Sequence, residues 1–289
     1  MSKNKKYLGI VYIITSAFCF AFMNAFVRLA GDLPSTQKSF FRNFVALIFA
    51  SIILIKNKIP FKVQHKSNVP ALLVRAGLGT VGILCNFYAI GHLVLADASM
   101  LNKMSPFFVI IFSFIFLKER LTFFQGAAVF TAFIGSLFII KPSFNMEMFP
   151  AFLGLVGGMC AGAAYTAVRY LGNHGEKNPF IVAFFSAFSC LTTLPFLIFD
   201  YHPMTGYQLL SLIGAGLAAA GGQFSITAAY TKAPPKEISV YDYSQIIFAT
   251  ILGFFLFGDV PDIYSVIGYV IIIAMAVLMF FYNTKRQKD

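Results

Sequence analysis

Residues 96–140 read ADASMLNKMSPFFVIIFSFIFLKERLTFFQGAAVFTAFIGSLFII, and residues 236–280 read KEISVYDYSQIIFATILGFFLFGDVPDIYSVIGYVIIIAMAVLMF. Set against each other at an offset of 140, the two stretches share one plan. An apolar run is followed by a short turn with an acidic residue, then by a second apolar run. Ser99 falls on Ser239, Asn102 on Asp242, and Leu117-Lys118-Glu119 on Phe257-Gly258-Asp259. The chain therefore divides into two halves, 1–142 and 143–289, each closing with the same helix-turn-helix unit.

Working outward, the remaining sequence is as apolar as these stretches. Of its 289 residues, 58% are hydrophobic and 11% charged, with 36 Phe and no Trp. Soluble domains carry roughly 25% charged residues, so the solvent for this surface has to be lipid. A spanning helix needs about 20 apolar residues. Ten stretches qualify: 7–30, 36–55, 69–90, 95–117, 122–140, 149–171, 179–199, 206–230, 237–257 and 262–283. The expected fold is all-α: a polytopic membrane protein of ten transmembrane helices, as a single membrane domain. The helices end the need for a β-barrel, so a bacterial outer membrane is not the expected home. The basic N-terminus before an apolar run imitates a signal peptide, but no clean small-residue cleavage site follows. The first span is expected to be retained.

Charge sets orientation. With the N-terminus inside, 15 of the 22 Lys and Arg fall on the cytoplasmic side. This bias places both termini in the cytoplasm, in a cytoplasmic (inner) membrane. Five spans per half then invert the second half relative to the first, the inverted-repeat design of secondary transporters. The net charge of +11 is thus a topology signal, and no nucleic-acid partner is expected. Cys19, Cys85, Cys160 and Cys190 lie scattered inside apolar runs and read as packing residues, with neither a metal site nor a disulfide framework expected. The four histidines lie near loops without ligand spacing, and no GxxxxGK[ST] loop occurs, so no cofactor, metal or direct use of ATP is expected and the chain does not read as an enzyme.

Two glycine patterns stand out. Gly154, Gly158 and Gly162, spaced by four, mark a close helix contact, as do Gly77, Gly79 and Gly82. Gly82, Gly221 and Gly222 could also lower a cavity wall. A further pair, CFAFMNAFVR ending at Arg28 and CAGAAYTAVR ending at Arg169, repeats at an offset of 141.

The motif Phe87-Tyr88-Ala89-Ile90, Leu95-Ala96-Asp97-Ala98-Ser99, Ser105-Pro106, Leu117-Lys118-Glu119-Arg120-Leu121, Gln125-Gly126 and Gly135 resembles the signature of the EamA-type branch of the drug/metabolite transporter superfamily. Its second copy is carried by Pro235 to Ser239, Gly258-Asp259, Pro261 and Gly268. The resemblance covers the whole chain. It implies ten helices in two inverted five-helix repeats around a central substrate cavity, working by alternating access. The second copy departs at Asp259, where glutamate is usual, and at Ile246, which stands opposite Pro106.

Ionisable groups inside a bilayer are costly and face a cavity or a partner. Lys103, beside Asn102 and Ser105, is a cation for a substrate carboxylate, a partner for a nearby acid, or a side chain snorkelling to the surface. Asp242, within Tyr241-Asp242-Tyr243-Ser244-Gln245, is a site for a substrate amine or a transferred proton. Arg42 matches an arginine common in that family and could bind a carboxylate. Arg75 reads as interfacial, and Glu119 and Asp259 as caps or loop ion pairs. Asn24, Asn86, Tyr88, Tyr165 and Gln223 are mid-span polar groups suited to line a cavity.

The expected function is secondary transport of a small organic metabolite, an amino acid or derivative such as S-adenosylmethionine, by exchange or with protons. The partners are that substrate, membrane lipids and protons; a homodimer is also allowed. The alternatives are a multidrug or organic-cation exporter, or a channel-like permease.

Overall fold

A computed structural model of the chain describes residues 3–117, 122–141, 148–232 and 239–285. The helices are α1 (Lys3–Leu29), α2 (Ser35–Lys56), α3 (Val69–His92), α4 (Leu95–Asn102), α5 (Ser105–Leu117), α6 (Phe123–Ile140), α7 (Met148–Asn173), α8 (Asn178–Phe199) and α9 (Gly206–Lys232). A 3₁₀ turn, Ser239–Tyr243, then leads into α10 (Ser244–Phe257), and α11 (Ile263–Lys285) completes the bundle. Among the described residues, nine segments are long and apolar enough to cross a membrane, α4 and α5 together forming one of them, and Tyr241–Phe257 is a shorter apolar helix. The protein is an all-helical, multi-pass membrane protein.

Helix packing follows the sequence offset. The closest partners are α1 with α9, α3 with α7, α2 with α8, and α6 with α11. Exchanging the halves turns the α1–α9 contact into the α7–α3 contact and maps the other two onto themselves. The contacts of α5 with α7 and of α2 with α9 likewise have counterparts in α10 with α1 and α8 with α3.

Loop contacts sort the helix ends onto two faces. Glu176 accepts hydrogen bonds from the Gln64 backbone N–H at 2.9 Å and from Asn68 Nδ2 at 3.0 Å, joining the α2–α3 and α7–α8 connections. At the other end of α2, Gln37 and the His202 backbone exchange hydrogen bonds of 2.9 and 3.1 Å. Lys141 after α6 pairs with Asp262 before α11. The lysine-rich connections, Lys56 to Lys66 and Lys177, fall on the first face.

Two expected spans are not continuous. The fourth breaks between Asn102 and Ser105 because Pro106 has no N–H to give Asn102, and its ring crowds that carbonyl. The ninth, expected to be helical from 237, is described from Ser239 and enters through the 3₁₀ turn instead. The charged turn at Lys118-Glu119-Arg120 lies outside the described residues. Directly after it, Thr122 caps α6: its hydroxyl accepts from the Gln125 backbone N–H, and Gln125 Oε1 accepts from the Thr122 N–H. That capping box accounts for Gln125 in the repeated motif.

The glycine ridge of α7 lies along the first break. A Cβ at Gly158 would stand 2.5 Å from the Leu101 carbonyl oxygen, and one at Gly162 would stand 2.9 Å from that of Ser105. The backbone of α7 thus closes on the carbonyls around the break. At Gly222 and Gly82 the expected cavity wall is instead a packing contact: the Phe20 ring occupies the Cβ position of Gly222, and Gly82 meets the Gly157 carbonyl.

Gly158→Ala should therefore destabilise the protein by about 1–3 kcal/mol, the usual cost of overpacking. Gly77→Ala, which meets nothing within 4 Å, should be neutral within about 1 kcal/mol. Thermal unfolding of both variants in detergent checks this, and equal effects would refute the close contact. Asp262 offers a second test. Its ion pair with Lys141 and its hydrogen bond from the Ser265 N–H, at 2.8 Å, hold its carboxyl below the ordinary value. Its contribution is present above the ordinary carboxylate range and is lost as pH falls through the lowered value. Asp262→Ala should cost about 0.5–2 kcal/mol as an N-cap at neutral pH, and the difference from wild type should shrink on acidification.

Candidate functional site

The two helix breaks meet. Lys103 ends α4, its N–H bonded to the Ser99 carbonyl at 3.0 Å, and it is only 7% exposed. Its Nζ does not snorkel to the surface but lies 2.5 Å from Asp242 Oδ2 in the opposite half. Tyr243, the offset equivalent of Lys103, donates its hydroxyl to the Lys103 carbonyl at 3.1 Å. The second break thus supplies what the first lacks: a carboxylate for the ammonium and a hydroxyl for a carbonyl freed at a helix end. Met100, Leu101, Met104, Phe107, Tyr243 and Ile246 belong to one buried cluster around this junction. Asp242 Oδ1 and Ser244 Oγ are buried without a hydrogen-bond partner among the described residues. The junction therefore retains an acceptor and a hydroxyl for another group.

A second polar cluster lies between α2, α8 and α9. Arg42, Gln223, Ser186 and Phe185 line a small cavity there, with Ala46, Val182, Ala220 and Phe224. Arg42 Nη1 donates to Asn43 Oδ1 at 2.7 Å, and Asn43 donates onward to Ser39 and to Ser189 Oγ at 3.0 Å. Arg75 was expected at the interface. It is instead buried, with its guanidinium carbon 4.2 Å from the centroid of the Phe185 ring. The small Gly79 leaves the space that Arg75 Nη1 fills. A long side chain folded over an aromatic face inside the bundle is what the sequence position alone does not distinguish from one reaching outward.

The other candidates do not gather into one pocket. Asn24 Nδ2 donates to Ser99 Oγ at 3.2 Å, and the Asn24 and Asn86 amide oxygens are buried without a partner among the described residues. Tyr88 stacks on His92 and lies edge-on to Phe149. Tyr165 and Tyr241 are exposed, Gln245 is buried, and Asn102 presents its carbonyl toward Gly158.

Asp259 does act as an ion pair. Its carboxylate receives both Nη atoms of Arg28 and the Leu95 N–H, the last at 2.9 Å. It joins the end of α1, the start of α4 and the end of α10, where Gly258 turns the chain at φ +69°. Glu119, its offset equivalent, lies outside the described residues. One buried carboxylate escaped the sequence reading of sites. Asp97 accepts a hydrogen bond from the Tyr269 hydroxyl across the α4–α11 contact. The rule that singled out Lys103 and Asp242, a charge within a span, would also have found it.

Comparison with known proteins agrees with this architecture. A solved crystal structure superposes over 100% of both chains with a TM-score of 0.69 at 14% identity, a likeness of fold alone. The pseudopaline exporter of Pseudomonas aeruginosa is 31% identical over 274 residues, covering 94% of this chain and 95% of that protein. The riboflavin transporter of Vibrio cholerae is 25% identical over 295 residues, covering 97% and 95%. Human solute carrier family 35 member G1 is 28% identical over 284 residues, covering 92% and 77%. The description "EamA-like transporter family" matches twice, at residues 7–141 and 148–281. The chain belongs to the EamA-like transporter family.

Proposed function

We propose that the protein is a secondary transporter that moves a small organic metabolite carrying both an amine and a carboxylate across the cytoplasmic membrane by alternating access. The observation that carries this reading is the Lys103–Asp242 contact between the two helix breaks. Discontinuous helices near the midplane are where secondary transporters hold substrate. A charge pair there can be opened by a ligand that offers each member its opposite charge, so the cost of parting the pair is offset by the substrate itself. Amino acids and their derivatives, S-adenosylmethionine among them, have that chemistry. The relatives that export pseudopaline or transport riboflavin support a metabolite as cargo.

In this reading the halves 1–142 and 143–289 are inverted repeats that rock about the junction, with both termini in the cytoplasm. Asp259 with Arg28 and Leu95 closes the face opposite the lysine-rich connections. Proton coupling, where present, acts through Asp242, since a proton on its carboxylate releases Lys103.

Proteoliposome counter-flow tests the proposal. Vesicles loaded with unlabelled amino acids or adenosyl metabolites should accelerate entry of the labelled compound. Asp242→Asn should reduce that exchange at least tenfold while the protein still inserts and purifies as wild type. Undiminished exchange in Asp242→Asn would sink the role of the pair. Conductance without counter-flow would favour a channel. Arg28→Gln should raise leak or shift the ratio of the two facing states without abolishing binding, as read by cysteine accessibility at the loop face.

A further inference from the structure

Among the described residues, Arg42 and Arg75 beside Phe185 have no counter-ion. Arg42 and Arg75 are 3% and 6% exposed. The seven carboxylates described in the chain lie elsewhere: Asp242 with Lys103, Asp259 with Arg28, Asp262 with Lys141, Glu176 with the Gln64 N–H and Asn68, Asp97 with Tyr269, Asp200 beside His202, and Asp32 near Lys38. Among the described residues, neither arginine makes an ion pair, and both Nε groups are buried without an acceptor. Phe185 connects the two: its ring lies under Arg75, and it lines one cavity with Arg42. Their described neighbours are all uncharged: the Asn43 amide for Arg42, the Phe185 ring for Arg75, the Tyr165 hydroxyl near both and the Cys190 thiol near Arg42.

Burying one uncompensated charge is expensive, and burying two of the same sign side by side is more so. Such a pair persists where an anion completes it. Helix geometry places the pair deep. Arg42 is seven residues from the start of α2, and Arg75 six from the start of α3. At 1.5 Å per residue these are roughly 10 Å from helix ends on opposite faces; Arg75 reaches over Gly79 onto Phe185, and Phe185 lines the cavity that Arg42 also lines. A lipid headgroup is held at a surface, so the depth favours a soluble anion.

We infer that Arg42 and Arg75 form an anion-binding site for a carboxylate- or phosphate-bearing group of the transported molecule, with Gln223 and Ser186 as neutral hydrogen-bonding partners. Guanidinium groups bind such planar or tetrahedral anions through paired N–H donors. The inference deepens the transport reading and rests on it for the identity of the ligand as cargo. It favours a substrate with an anionic group beyond the zwitterionic pair, and it weighs against an organic cation, which the two arginines would repel. The cavity is small in this conformation, so it takes the anionic end of a molecule while α2, α8 and α9 separate to admit the rest.

The experiment has two arms. In detergent, thermal unfolding of the purified protein is followed with rising citrate, glutamate or inorganic phosphate at ionic strength matched by sodium chloride. Wild type should show a saturable rise in Tm with at least one of these anions. Arg42→Gln and Arg75→Gln should abolish it, and the lysine variants should weaken binding by about tenfold or more, because a lysine cannot make the forked contact. Without multivalent anion, the glutamine variants should unfold at or above the wild-type temperature, since each removes an unpaired buried charge. A large drop in Tm there would make the arginines structural and overturn the inference. So would a shift that survives in both variants, or no saturable shift with any anion. In the second arm, proteoliposomes are loaded with glutamate or leucine. Exchange of leucine without any anion-dependent shift would overturn the arginine site and leave the transport reading intact. A saturable shift lost in both variants, with no exchange of any pool, would sink the transport reading and uphold the site.

Discussion

A helix broken inside a bilayer exposes backbone groups that no water is present to satisfy. Most of the interior follows from that constraint. Pro106 forces the fourth span to stop at Asn102, and the carbonyls it frees must be met by protein. Tyr243 meets one of them, while the glycine ridge of α7 brings another backbone against the rest. Lys103, carried to the end of α4 by the same break, is left inside with a charge it cannot hydrate. The Asp242 carboxylate from the other break is its partner. Two local defects, each costly alone, become one junction between the halves.

The same reasoning separates the two polar clusters. At the junction, positive and negative charges are matched, so the pair is nearly self-sufficient. At Arg42 and Arg75 no opposite charge stands among the described residues, which is the basis for proposing an anion there. A carrier benefits from both kinds. In the proposed carrier the matched pair would link substrate occupancy to the contact between halves, and the unmatched pair would select for an anionic group. At the loop face, Asp259 gathers Arg28 and the first amide of α4.

Polar contacts alone would leave the bundle loose, because lipid supplies no hydrophobic drive between helices. Close backbone approach takes its place. Gly135 and Gly268 let α6 and α11 touch, Gly82 and Gly157 do the same for α3 and α7, and Gly216 admits Val45 of α2. Large apolar side chains such as Phe123, Phe199 and Phe255 are left on the outside, where lipid is their solvent.

The sequence by itself determined the fold class and the approximate spans, and it pointed to a twofold plan and to lysine-rich connections on one side. These depend on segment length, composition and repetition, which are local properties of the chain. It also marked Lys103, Asp242 and Arg42, because a charge within an apolar run is visible without coordinates. What only the tertiary structure decided is who meets whom. That Lys103 reaches Asp242 across 139 residues, that Arg75 turns inward onto Phe185, and that Gly222 is filled by Phe20 all depend on helix rotation and depth. A long side chain can point either way from the same position, and one sequence carries no signal for that choice. The break after Asn102 lay between these limits: Pro106 announces it, but the Tyr243 hydroxyl that makes it tolerable comes from the far half of the chain.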